Sequence, residues 1–361
     1  MNQDYLIIDP RPTECFKDKT FSGFKKSEVY KTLFKSIDAG KVEDTCFWAT
    51  ECIVSGYAPD LIEKLCIHSA KVIHVNNPRL PVFLWRRYFT FHKSIDHIPR
   101  KDKDKLIHIR NTSSVRNNIM DVAVTLALSP KTKRYDKLPK VDLKADFEFS
   151  NIQQRMNATM KLLPEGLIRF TDPEELRIIM NEIFFNLKNT NGGYEKSCYW
   201  VQWLLQWEKR AKAQKRKFEI ETREINGLNP KYGKDMIWLV WEVIFQETNL
   251  RDDTLKHQVR ALYLLFQYEY TSGKRNARIP YLYQSIGYLT LPLKTNVPVR
   301  RSQDIFMQTQ CNINHLFKHK KLSEVKTYEA PPKPPKKLKG LEKEITESRL
   351  KELQDLDLFA T

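Results

Sequence analysis

The chain has little glycine, 11 residues in 361, too few for a protein rich in tight turns or phosphate-cradling loops. It lacks GxxxxGK[ST] and GxGxxG, so nucleotide hydrolysis and redox-cofactor binding are without their usual marks. GxSxG and HExxH are missing too, which removes the familiar hydrolase and metalloprotease signatures. No catalytic residue, cofactor or metal is therefore expected, and the chain reads as a non-enzyme. No apolar run reaches membrane-spanning length, and the opening MNQDYLIIDPRP has acids and a proline where a signal peptide needs a basic end and a continuous apolar core. A cytosolic or nuclear location without membrane insertion is the expectation. The six cysteines, Cys15, Cys46, Cys52, Cys66, Cys198 and Cys311, contain no CxxC and are expected to be buried free thiols.

What the sequence has is helix-forming Leu, Lys, Glu and Ile, 41% hydrophobic residues and a formal charge of +17. Such a positive field attracts phosphate backbones, anionic lipid or an acidic protein face. Helical spacing appears at Tyr30, Leu33, Phe34 and Ile37, with Ser27 before them and Gly40 after them. A second helix follows Glu43 and Asp44 and stops at Gly56; a third opens at Pro59, a fourth at Pro81, and another runs from Val115 to Leu126. Thr171-Asp-Pro-Glu-Glu175 signals a helix start. Ser197-CYWVQWLLQW-Glu208 is apolar nearly all round and belongs in the middle of a bundle. Helices are further predicted from Pro230, from Asp252-Asp253 and over 302–317, with Gly273 to Arg278 as a basic connection between them.

The predicted fold is all-α: a two-lobed helical bundle with an extended segment over 1–24, a first lobe over 25–145 and a second over 146–325. Residues 326–361 supply a Pro/Lys linker, APPKPPKKLKG, and a short docking helix with Ile345, Leu350, Leu353 and Leu356. Asp44-Thr-Cys-Phe-Trp48 and Lys196-Ser-Cys-Tyr-Trp200 share a Cys-aromatic-Trp core, either because the lobes are distant duplicates or because aromatic-rich helices coincide. Trp48 and Trp200 are predicted to be buried, one in each lobe.

Three basic segments are the candidate binding residues. The helix after Glu208 continues through Lys209, Arg210, Lys212, Lys215, Arg216 and Lys217 without an acid, which predicts a cationic stripe leaving the core. Lys131, Lys133 and Arg134 lie in a loop that continues to Lys137 and Lys140, and Lys274, Arg275 and Arg278 in the later connection. All three read either as phosphate-contacting elements or as solvated helix ends and loops. His315 and His319 stand at a spacing that places two imidazoles on one metal, yet no nearby acid or cysteine completes a ligand set and three lysines adjoin them. His68 and His74 read as core or rim histidines. Glu51, Glu63 and Asp121 are lone carboxylates with no partner visible in the sequence.

Residues 30–80, with Gly40, Glu43-Asp44, Phe47-Trp48 and Gly56 in order, resemble the helical region after the ATPase module of the MgsA/WRN-interacting replication ATPases. That resemblance implies a clamp-loader-collar-like fold and a role in oligomerisation or partner binding, with no ATPase half to carry catalysis. NPRLPVFLWRRYFTF, RNNIMDVAVTLALSPK, SCYWVQWLLQWEKRAKAQKRK and KYGKDMIWLVWEVIF are similar to segments of uncharacterised proteins of large nucleocytoplasmic DNA viruses. This second resemblance implies a viral origin, placement in the host cytoplasm, nucleus or virion, and viral partners. Those partners would be replication factors, with nucleic acid on the basic surface, or capsid proteins, in which case the chain is a minor capsid or other virion structural protein.

Overall fold

The structure, a computed structural model, describes residues 3–329 apart from 100, 101, 103, 104, 132, 133, 139, 143, 217 and 218. The predicted linker-and-helix tail falls outside the described residues from 330 onward, as do Lys133 and Lys217.

Among the described residues the chain is all-helical, with thirteen α-helices and no named strand. In chain order they are α1 (Lys26–Asp38), α2 (Val42–Val54), α3 (Ala58–Val72), α4 (Leu80–Asp96), α5 (Lys105–Asn111), α6 (Ser113–Leu128), α7 (Phe149–Arg155), α8 (Glu175–Leu187), α9 (Gly193–Ala213), α10 (Ile237–Thr248), α11 (Asp253–Gln267), α12 (Ser272–Thr290) and α13 (Gln303–Lys321).

The local reasons are legible in the residues. Gly40 and Gly56 take left-handed backbone conformations (φ +70° and +81°) just past α1 and α2, where a side chain would be strained. Pro59 and Pro81 stand in the first turns of α3 and α4. Asp252 accepts from the Leu255 N–H at 3.0 Å, and Ser302 from the Ile305 N–H at 3.4 Å, to start α11 and α13.

Other starts differ from the sequence reading. Ser27 lies inside α1, one residue after its first turn begins. Pro230 opens only a single 3-10 turn, and α10 begins at Ile237. Asp172, expected to help start α8, turns inward to Arg223.

Two groups divide the described residues: 3–8 with Pro12–Glu324, and Asp9–Arg11 with 325–329. In the small group the Asp9 carboxylate accepts from Arg11 and from the Val325 N–H at 3.0 Å. In the large one α2 and α6 pack together with α1 and α3, α4 bridges α6 and α11, and α12 lies against α3, α9 and α11. Helices on either side of residue 146 thus share contacts, and the buried apolar residues run from Ile7 to Phe317 as one cluster.

The segment read as a basic connection is the first turn and a half of α12, which is buried along almost all its length after Arg278. Pro280 sits inside it. A Cβ on Gly287 would collide with the His74 ring, so that glycine is required for the helix to approach this close.

Of the paired tryptophans, Trp200 is 1% exposed, whereas Trp48 is only half-buried, its ring edge-on to Phe24 and Phe47. The expectation for Trp48 is corrected: its ring packs only partly buried against the core, while Cys46 and Ala49 on the same helix are buried. Cys46, Cys52, Cys66 and Cys198 are buried thiols, but Cys311 is exposed on α13.

Candidate nucleic-acid interface

Helix α9 is built to enter the core and leave it. Trp200, Val201, Trp203 and Leu204 are buried, and from Lys209 onward every described residue to Arg216 except Ala211 is exposed. The helix ends earlier than its sequence suggests. Gln214 is the C-cap, Lys215 takes a left-handed conformation (φ +56°), and the chain turns away. The Arg216 N–H donates to the Ala211 carbonyl at 2.9 Å and the Lys215 N–H to the Lys212 carbonyl at 3.0 Å, the paired bonds of a Schellman ending. The predicted helical stripe through 216 is therefore corrected: Lys209 precedes the last turn, Arg210 and Lys212 are on it, and Lys215 and Arg216 lie on the reversal after it.

Cations at this end also suit the negative pole of the helix dipole. Lys212 pairs with Glu208 at 2.7 Å, Arg210 lies 5.3 Å from the Phe147 ring centre, and Arg216 donates to the Gln214 side chain. All five keep exposed surface for an external anion.

The other two basic segments are spent largely inside the protein. Arg278 is fully buried: it donates to Glu63 at 2.7 and 2.9 Å and to the carbonyls of Phe266 and Tyr268 at 2.8 and 2.6 Å. Arg275 donates to Asp235 at 2.8 Å and to Glu208, and these carboxylates raise its pKa against the opposing effect of burial. Lys274 stands 3.9 Å from Glu63. The Arg275 and Arg278 side chains, 12% and 0% exposed, are thus turned toward carboxylates within the chain. Glu208 links this segment to the end of α9, because it holds both Arg275 and Lys212. Burial alone would raise the Glu208 pKa, and those two partners pull it below the usual carboxylate range.

In the 131–140 loop, Lys131 donates to the carbonyls of Ala127 and Ser129, both at 2.8 Å, closing the end of α6. Burial lowers its pKa to about 8. Arg134 makes a two-pronged bond with Asp136 at 3.0 and 2.8 Å and remains partly exposed.

The lone carboxylates all find distant partners. Glu51 meets Lys320, Glu63 meets Arg278, and Asp121 lies between Arg87 and Arg300. Each closes a helix-to-helix contact, and no sequence signal pairs residues so far apart. His315 and His319 are exposed on α13 and share a groove of about 820 Å3 with Glu43 and Asp44. Among the described residues no group of three or more His, Cys, Asp or Glu side chains is placed to hold a metal ion. No helix among them is long and apolar enough to cross a membrane. No family model, curated protein or solved structure matches the chain.

Proposed function

We propose that this chain is a non-enzymatic helical scaffold that holds protein partners to nucleic acid, in the replication or genome handling of a large DNA virus. The observation that carries the nucleic-acid part is the exposed run Lys209, Arg210, Lys212, Lys215 and Arg216 at the end of α9, in which Lys212 pairs with Glu208. A run of this kind neutralises phosphates without reading bases. The arrangement supports it by contrast: other arginines that the sequence offers, such as Arg223, Arg275 and Arg278, are enclosed with carboxylates of their own. The viral setting and the clamp-loader-like comparison rest on the resemblances of residues 30–80 and of the four aromatic-rich segments. The protein-partner half of the reading rests on the same resemblances.

Fluorescence anisotropy with labelled single-stranded and duplex oligonucleotides of unrelated sequence, at low salt, tests this reading. Binding to all of them with similar affinity supports it. An absence of binding contradicts it and assigns the end of α9 to an acidic protein face, as in a virion component.

A further inference from the structure

A second feature lies away from the basic end of α9. Residues 221–225 and helix α10 border a cavity of about 600 Å3. Helical spacing places Trp238, Glu242 and Phe245 along one side of α10, at i, i+4 and i+7. Trp241, Phe245 and Tyr263 contribute a ring cluster to its wall, with centroids 5.0 to 6.1 Å apart. Phe245 is the half-buried member, while Trp241 and Tyr263 are buried.

The charge on this wall is not balanced. Arg223 donates from Nη2 to Asp172 at 2.7 Å and from Nε to Glu242 at 3.1 Å. The Arg223 and Asp172 side chains are 2% and 0% exposed, whereas that of Glu242 is 34% exposed. One guanidinium therefore serves two carboxylates, and of these Glu242 lines the cavity, as does Glu224. At the rim Arg169 and Glu221 pair at 3.0 Å and cancel. Burial raises the Glu242 pKa even with Arg223 and Arg169 opposing it.

We propose that this cavity binds an organic cation, the guanidinium or ammonium head of an alkyl chain, with its charge at Glu242 and its stem along Phe245. A locally negative, aromatic-walled cavity runs against the trend of a chain with a formal charge of +17. Its lining carries three carboxylates, Glu221, Glu224 and Glu242, against two arginines, Arg169 and Arg223. Rings attract cations through their faces but give no lone pairs to a metal ion, so an organic head group fits better. A guanidinium matches best, since its planar fork meets a carboxylate and stacks on aromatic rings. The same rings already hold one: the Arg260 guanidinium lies 5.0 Å from the Tyr263 centroid and 5.8 Å from that of Phe245. The source is either a free small cation or an arginine or lysine side chain of a partner protein. The inference does not depend on nucleic-acid binding by α9.

Calorimetric titration of the full chain with butylguanidinium, with its uncharged isostere butylurea, and with the peptide acetyl-Gly-Arg-Gly-amide tests it. Butylguanidinium is expected to bind saturably and butylurea at least about tenfold more weakly, the scale of one charge-assisted hydrogen bond. Glu242→Gln is expected to weaken butylguanidinium about tenfold. It leaves the buried Arg223–Asp172 pair in place, so circular dichroism should be unchanged. Phe245→Leu keeps the charge, removes the ring and should weaken binding severalfold. A peptide that binds well above the free cation supports a partner side chain as the source, and equal affinities support a small cation. Equal binding of butylurea and butylguanidinium, no saturable binding of either cation at millimolar concentration, or unchanged affinity in folded Glu242→Gln overturns the proposal.

Discussion

The Lys320 ammonium lies 2.5 Å from the Glu51 carboxylate, both side chains are buried, and the same ammonium stands 3.7 Å from the centre of the Phe47 ring. Glu51 also accepts from the Ser22 N–H and hydroxyl, both at 2.8 Å. The pair fastens α13 to α2 across 269 positions of sequence. Lys320→Met leaves a buried carboxylate without its cation and should cost about 3 to 5 kcal/mol. Adding Glu51→Gln should restore much of that, because the unpaired charge is what is expensive. Urea denaturation of the two variants against the wild type checks both statements.

Acid should weaken the fold in two separable stages. Burial alone would raise the Glu51 pKa, but Lys320, Thr20 and Ser22 bring it below its ordinary 4.5. Its unfolded form then binds more protons near pH 4.5, so its contribution is complete above that pH and is lost as pH falls through the folded value. His92 acts earlier. It lies between Tyr88 and Tyr268, 4.6 and 4.7 Å from their centroids, and burial pushes its pKa below 6.5. Stability should therefore begin to fall below pH 6.5, where the unfolded imidazole takes up a proton that the folded one resists. Thermal melts across pH should show His92→Gln flattening the first stage and Lys320→Met the second.

Trp200→Ala should cost about 3 to 5 kcal/mol, as truncation of a buried large aromatic does. Trp48→Ala should cost roughly half as much, because part of that ring is already in water. Equal losses on denaturation would contradict the half-buried placement of Trp48.

The difference between these tryptophans marks how far the sequence carries. Helices bounded by local signals were legible: Gly40 and Gly56 stop α1 and α2, Pro59 and Pro81 open α3 and α4, and Asp252 caps α11. Helix α12 was not, because Pro280 interrupts its pattern and burial on all sides leaves no polar face to set a period. The basic segments look alike as sequence. Their division into exposed and enclosed cations depends on Glu63, 215 positions from Arg278, and on Glu208, 67 positions from Arg275, and no local pattern shows pairings of that range. The end of α9 was hidden for a related reason: Lys215 stands where glycine ordinarily signals the stop.

That substitution is itself testable. Lys215→Gly should stabilise the chain by about 1 kcal/mol by relieving the left-handed conformation. It should also reduce the slope of log affinity against log salt for oligonucleotides by at most about 0.9, the share of one phosphate contact. Denaturation and anisotropy read the two effects separately.

The central claim is that the end of α9 contacts phosphates, and the salt dependence of binding tests it most directly. Lys209, Lys215 and Arg216 are exposed at the end of α9 and on the reversal after it, so changing all three to Glu should leave the fold intact by circular dichroism. Anisotropy over a salt series should then show the slope of log affinity against log salt flattened by roughly two to three units, equally for unrelated sequences. An unchanged slope in the folded triple variant would contradict the account.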